Sequence, residues 1–360
     1  MVLNNFVKAA CLSACLGLAS GSILANNVET NGGLHVYDSN DNDHWFNLNG
    51  KLRLDQTLFH NGNSDFQSSL SLRSLETTMK GGVGENLSYS FRLKNGNNVS
   101  IDNAAVTYSG FNSWSKVSVG QVSMPYGLGS SLTEDSLASQ VFAPQANGDA
   151  LGVSVTAWND KVGLICSVHQ PSAAPLTSVA GFDTAARVSF APLMRDNLVV
   201  HVGANAYMQQ QSNGFTSSLT NGGENNVDLQ LNGQKRGFGL DAAVLRGPLF
   251  LQAELHQVSV GDDNQSAMGY NVEASYAVTG ENREYNKVRG SFSQANTEGG
   301  SWQVSARHSG VHFQEDQHRT VGASVSWIAN SNLTVLANYE NVISADNNPG
   351  ALTLRLQAAW

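Results

Sequence analysis

The feature that most constrains this chain is a strict period of two. Phe46, Leu48, Leu52, Leu54 and Leu58 alternate with Asn47, Asn49, Lys51, Arg53, Asp55 and Thr57. Leu87, Tyr89, Phe91 and Leu93 alternate with Ser88, Ser90, Arg92 and Lys94, and the chain closes on Leu352, Leu354, Leu356, Ala358 and Trp360 against Thr353, Arg355 and Gln357. Successive side chains of a strand point to opposite faces, so each run has one apolar and one polar face. Helical periodicity is almost absent. Each run is about ten residues long, the length a tilted strand needs to cross a bilayer.

Composition narrows the class. Of the 360 residues only 14% are charged, and 20 Lys+Arg against 29 Asp+Glu give a formal charge of -9. An acidic balance disfavours nucleic acid as a partner, because neutralising phosphates needs a basic excess. No run of 18 or more apolar residues follows the N-terminus, which excludes a bundle of membrane-spanning helices. An all-β chain remains, either secreted or in an outer membrane.

Residues 1–25 read as an export signal, with Lys8 in the positive region, an apolar stretch over 9–25 and cleavage after Ala25. A lipobox at Leu12-Ser13-Ala14-Cys15 would leave too short an apolar stretch before Cys15. Cleavage removes Cys11 and Cys15, so Cys166 is left without an internal disulfide partner. Residues 26–43 are expected to form a flexible arm, and the segment 38–43 has a calcium-loop composition without the glycine its sharp turn requires. The barrel proper is expected over 44–360.

Seventeen alternating runs can be counted between 44 and 360. A single-chain barrel with both termini on the periplasmic side needs an even number. The weakest run, 285–295, puts Lys287 and Arg289 in phase with Tyr285 on one face, and is assigned to a long turn over 280–300. The expected fold is therefore an all-β transmembrane antiparallel barrel of sixteen strands, with short periplasmic turns and longer external loops. In this topology Trp45, Trp114, Trp158, Trp302, Trp327 and Trp360 all fall at periplasmic strand ends, where an aromatic girdle belongs. Long external loops are expected over 124–148, 170–182 and 209–233.

Several strings then carry a resemblance: NLNGKLRLDQTLF (47–59), IDNAAVTYSG (101–110), VGQVSMPYGL (119–128), RGPLFLQAEL (246–255), EASYAVTGENREY (273–285), GSWQVSARHS (300–309), VSWIANSNLTVLANY (325–339) and ALTLRLQAAW (351–360). In this order they are similar to the phosphate-selective porin O and P family. The resemblance implies a sixteen-stranded outer-membrane barrel, embedded in lipid and usually a homotrimer, that passes small anions without a cofactor. It also implies that the connection over 124–148 folds inward as a constriction loop. That loop carries Glu134 and Asp135 and no Lys or Arg.

Alternation places Lys51, Arg53, Arg73, Arg92, Lys94, Lys116 and Arg355 on the lumenal face, where they would form one basic wall, with Arg187 and Arg307 farther round. Asp55, Asp102, Asp241, Glu254, Glu273 and Glu340 are the lumenal acids. A basic wall opposite an acidic loop would set up a transverse field, whereas the plainer reading is that these charges keep the lumen hydrated. His308, His312 and His318 beside Glu315 and Asp316 lack metal-ligand spacing and read as loop residues. No GxSxG or HExxH occurs, so no enzyme and no metal site is expected. The expected function is passive diffusion of small hydrophilic solutes or inorganic anions, with a structural or adhesive barrel of plugged lumen as the alternative.

Overall fold

A computed structural model describes residues 27–29, 33–37, 43–61, 66–95, 99–128, 151–171, 181–218, 226–261, 265–293, 300–313, 316–343 and 348–360. Among them are twenty strands and no helix. Sixteen strands form the wall: β3 (Trp45–His60), β4 (Phe66–Val83), β5 (Leu87–Asn95), β6 (Val99–Tyr108), β7 (Ser115–Gln121), β8 (Gly152–Trp158), β9 (Val162–His169), β10 (Asp183–Arg195), β11 (Leu198–Ser218), β12 (Asn226–Arg246), β13 (Leu249–Val260), β14 (Gln265–Ala277), β17 (Ser301–Phe313), β18 (Asp316–Asn330), β19 (Leu333–Val342) and β20 (Gly350–Ala359). Each pairs antiparallel with the next along the wall, and β14 pairs directly with β17. β20 closes on β3, from Gly350 opposite His60 to Ala359 opposite Lys51. Closure matters because hydrocarbon offers no partner to an unpaired backbone N–H or C=O.

The apolar residues of each run face outward. Along β13, Leu249, Leu251 and Leu255 are exposed while Gln252, Glu254 and His256 between them are buried, the reverse of a soluble protein. The wall is thus inside out, with polar groups enclosed and an apolar girdle around them. Cys166 is exposed, and it lies in phase with the outward Leu164 and Val168. Trp302 faces Trp327, Trp45 faces Gly82 and the Trp158 N–H donates to Trp114 C=O, all at one rim, the turn end. Turns there are tight. Asn159 Oδ1 accepts from the N–H groups of Lys161 and Val162, and Asn330 does the same for Asn332 and Leu333.

Three elements depart from expectation. The arm over 26–43 contributes a ribbon, β1 (Asn27–Glu29) and β2 (Leu34–Tyr37), and β2 pairs with β3 at Trp45–Leu48. That edge of β3 lies below the point where β20 ends, so its backbone groups need another partner. The expected loop 209–233 is largely strand, since β11 runs to Ser218 and β12 begins at Asn226, the two staying paired beyond the rest of the wall through two register shifts. The turn over 280–300 is neither a wall strand nor a simple turn. It holds a small hairpin, β15 (Tyr285–Asn286) and β16 (Ser291–Phe292), that folds back into the lumen.

Candidate functional site

Among the described residues two segments enter the lumen, and both lie against the same side of it. The first follows β7. Met124 joins a lumenal apolar cluster with Tyr207, Val258 and Val260, Tyr126 stacks on His256 at 4.7 Å, and Leu128 joins a second cluster with Leu245, Phe250 and Phe292. An extended segment that sets every second residue on the wall descends along β11–β13 in this way. Gly127 permits it. Its φ is +49°, and a Cβ there would lie 2.7 Å from Glu254 Oε1, which accepts a hydrogen bond from Leu128 N–H at 2.7 Å. Burial pushes the Tyr126 phenol up, so it stays neutral.

The second is the hairpin, inserted from the turn end. Tyr285 Oη lies 2.8 Å from His201 Nδ1, and His201 Nε2 lies 2.8 Å from Asp241 Oδ1. Arg187 pairs with Asp241 through both guanidinium nitrogens and also donates to Gly290 C=O at 3.2 Å. Phe292 packs on Phe250, centroids 4.8 Å apart, and the Arg283 guanidinium lies 4.6 Å from the centroid of the same Phe250 ring. Gly290 takes φ +60°, and a Cβ there would collide with Ser189 at 2.3 Å. At the hairpin's tip Lys287 Nζ donates to Asp160 at 2.9 Å. Burial raises the Tyr285 phenol, and Lys287 holds the exposed Asp160 carboxyl below its ordinary range.

These inserts divide the lumenal surface. From β8 round to β20 its side chains are predominantly buried, including Arg187, His201, Asp241, Glu273, Arg307 and Arg355. From β3 to β7 Asp55, Thr57, Ser74 and Gln121 are buried, but the cations stay open: Lys80 and Lys94 are exposed, and Lys51, Arg53, Arg92 and Lys116 are half-buried.

Of the expected basic wall, Arg53, Arg92 and Arg355 are each paired with an acid. Arg355 pairs with Asp55 on the adjacent strand, Arg53 with Glu76 at 3.0 Å and Arg92 with Asp102 at 3.0 Å. Arg307–Glu340 and Arg187–Asp241 pair on the covered side. Lumenal acids are therefore largely neutralised by arginines. Among the described residues Lys51, Lys94 and Lys116 form no ion pair, nor does Lys80, which the sequence reading did not select although it follows Glu76 and Thr78 in phase. Arg73 is exposed and lies at a break in the alternation. A bulge lets Ser74 face Arg53 and Leu72 face Leu54, leaving Arg73 as the extra residue. Asp102 is likewise the extra residue of a bulge between β5 and β6. Glu134 and Asp135 lie outside the described residues. His308 bonds the Tyr270 hydroxyl at 3.3 Å, and among the described residues no metal-binding cluster occurs.

Residues 46–360 match the family described as phosphate-selective porin O and P. The chain belongs to that family. It is 28% identical to Porin O of Pseudomonas aeruginosa, over 87% of this chain and 86% of the relative. The fold is shared with much more distant outer-membrane proteins. A trimer form of OmpT from Vibrio cholerae superposes with a TM-score of 0.59 at 11% identity, covering 88% of this chain and 99% of that one. An anion-selective porin from Comamonas acidovorans gives 0.58 at 11% identity, covering 88% and 99%. The protein is an outer-membrane porin, a β-barrel channel, and short turns mark the turn end of its wall as the periplasmic end.

Proposed function

We propose that this porin conducts small inorganic anions, phosphate among them, in preference to cations. One observation supports the reading above all. The inserts lie on the β8–β20 side, so the path for solutes follows the β3–β7 wall, whose unpaired charges Lys51, Lys80, Lys94 and Lys116 are all positive. A low-dielectric wall focuses the field of such charges into the channel, which raises the local concentration of counter-ions. The chain's acidic balance does not oppose this, because Asp55, Glu76, Asp102, Asp241 and Glu340 are each bonded to an arginine.

Arg53, Arg92 and Arg355 then act as hydrogen-bonding floor and scaffold, and the lysines carry the net field. Glu134 and Asp135, if turned into the lumen, would temper it. The porin is exported by a signal removed after Ala25 and assembles as a homotrimer in outer-membrane lipid, a reading supported by the fold it shares with a trimer form of OmpT. Reversal potential in a planar bilayer across a tenfold KCl gradient tests the selectivity. A chloride-directed potential, with current reduced by added phosphate, is expected. A potassium-directed or zero potential would overturn the anion reading, and an absence of conductance would favour a barrel plugged by its inserts.

A further inference from the structure

The hairpin over 281–293 is more than packing. Its backbone runs along the lumenal face of β9 and β10, where Val288 C=O lies over Gly163 and Gly290 lies over Ser189. Residues 287–290 form the turn of the hairpin, where Asn286 Oδ1 accepts from the N–H groups of Val288 and Arg289, and the Arg289 side chain is exposed. Gly163, Ser189 and Gly290 beneath the turn are buried, so the exposed guanidinium borders the open part of the lumen. On the other bank stand Lys80 of β4 and Lys116 of β7, and the charge of Arg289 acts on both. Lys116 lies in register with Thr156, Ile165 and Arg187, only three strands from the residue that holds Gly290, or about 14 Å at ~4.8 Å per strand.

We infer that Arg289, carried into the lumen on the periplasmic hairpin, is a selectivity-determining residue that faces Lys80 and Lys116 across the solute path, so that the periplasmic half of the pore is cationic on two sides. A single charged wall lets a co-ion pass along the far side. With charge on both banks, every line through the constriction lies close to a cation. Among the described residues Arg289 forms no ion pair, while the hairpin's enclosed anchors are supplied by Tyr285, Gly290 and Phe292. Replacing Arg289 therefore changes the field without releasing the hairpin. The inference rests on the anion-conducting reading but has its own test.

The full-length porin and its Arg289→Glu, Arg289→Gln and Arg289→Lys variants would be compared by reversal potential across the KCl gradient at low salt. The expected order of the chloride-to-potassium permeability ratio is parent, then Lys close to it, Gln several-fold lower and Glu lowest. Lys287→Gln, whose charge sits at the exposed tip beside Asp160, should leave the ratio unchanged. Unit conductance in 1 M KCl, where the Debye length is about 3 Å, should stay near the parent's in every variant, showing that the hairpin still occupies its place. If the parent is anion-selective and Arg289→Glu matches it, the hairpin does not border the ion path and the inference fails. If the parent is not anion-selective but Arg289→Glu still moves the potential towards cations, the general reading fails while Arg289 keeps its place.

Discussion

The β3–β7 wall and the β8–β20 wall are built by the same alternation, yet they do opposite things with their charges. On the covered side Arg187, Arg307 and Arg355 meet Asp241, Glu340 and Asp55. These pairs are nearly all enclosed, so leaving any one of those charges unpaired would carry the full cost of a desolvated ion. On the open side, lysines stand unpaired beside water, where hydration meets that cost instead. The open wall's Arg53 and Arg92 are paired as well, so residue type sorts the paired charges from the free ones on these walls, and burial sets what an unpaired charge would cost. Arginine, with its planar fork, takes the paired positions, and lysine, a compact hydrated charge, takes the free ones.

The two sides also differ in what occupies the lumenal phase. On β13 the inward row is Phe250, Gln252, Glu254, His256, Val258 and Val260, apolar at both ends. Those apolar ends are where Leu128 with Phe292, and Met124, come to rest. The inward row of the open wall, Asn49, Lys51 and Arg53 on β3 and Ser90, Arg92 and Lys94 on β5, offers no comparable apolar surface.

The largest effect is expected from breaking the covered side at its most enclosed pair. Asp241→Asn leaves Arg187 and His201 facing an uncharged amide, with side chains 4% and 0% exposed. Removing one partner of such a buried pair costs about 3 kcal/mol. The midpoint of chemical unfolding should fall accordingly, and pore conductance should rise as the hairpin loses its anchor. A variant as stable as the parent, with the same conductance, would mean that the Arg187–Asp241–His201 network is incidental to the insert.

Much of this architecture is legible in the alternation itself. The runs at 249–260 and 301–313 coincide with β13 and β17, and 44–59 differs from β3 by one residue at each end. Periodicity is a backbone property, and closure leaves little choice of face. What alternation lacks is register between strands. Asp55 and Arg355 are 300 residues apart in sequence, and only the β20–β3 ladder makes them partners. At Arg73 a bulge inserts one residue and shifts the phase, so alternation alone does not assign its face. The two inserts left a readable trace in the wall and in the hairpin itself. Phe250, Val258 and Val260 were apolar in a polar phase, and Lys287 and Arg289 were charged in phase with Tyr285, a mixture that suits a lumenal insert and not a wall strand.

A second test sharpens the contrast between paired and free charge. Replacing Lys51, Lys80, Lys94 and Lys116 together by Gln should lower the anion-to-cation permeability ratio roughly tenfold. Arg307→Gln, on the covered side, should leave that ratio within about twofold of the parent while destabilising the barrel. Both would be read by reversal potential and unfolding on the same preparations. Equal loss of selectivity in the two variants would erase the distinction between scaffold arginines and field-setting lysines.

The smallest effect is expected where the covered side meets bulk water. Asp160 and Lys287 are bonded at 2.9 Å, but their side chains are 91% and 44% exposed, so solvent and salt screen the pair. Because Lys287 holds the Asp160 carboxyl below its ordinary range, whatever the pair contributes is complete above that range. It disappears as pH falls through the depressed value of the folded protein. Asp160→Asn should therefore unfold at the parent's temperature at pH 7, and the two should stay superimposed, or converge further, on acidification. The hairpin would then be held by its enclosed end, through Arg187, Asp241, His201 and Phe292, and not by its tip. A clear loss of thermal stability in Asp160→Asn at pH 7, vanishing at low pH, would reverse that assignment and make the exposed ion pair the latch of the insert.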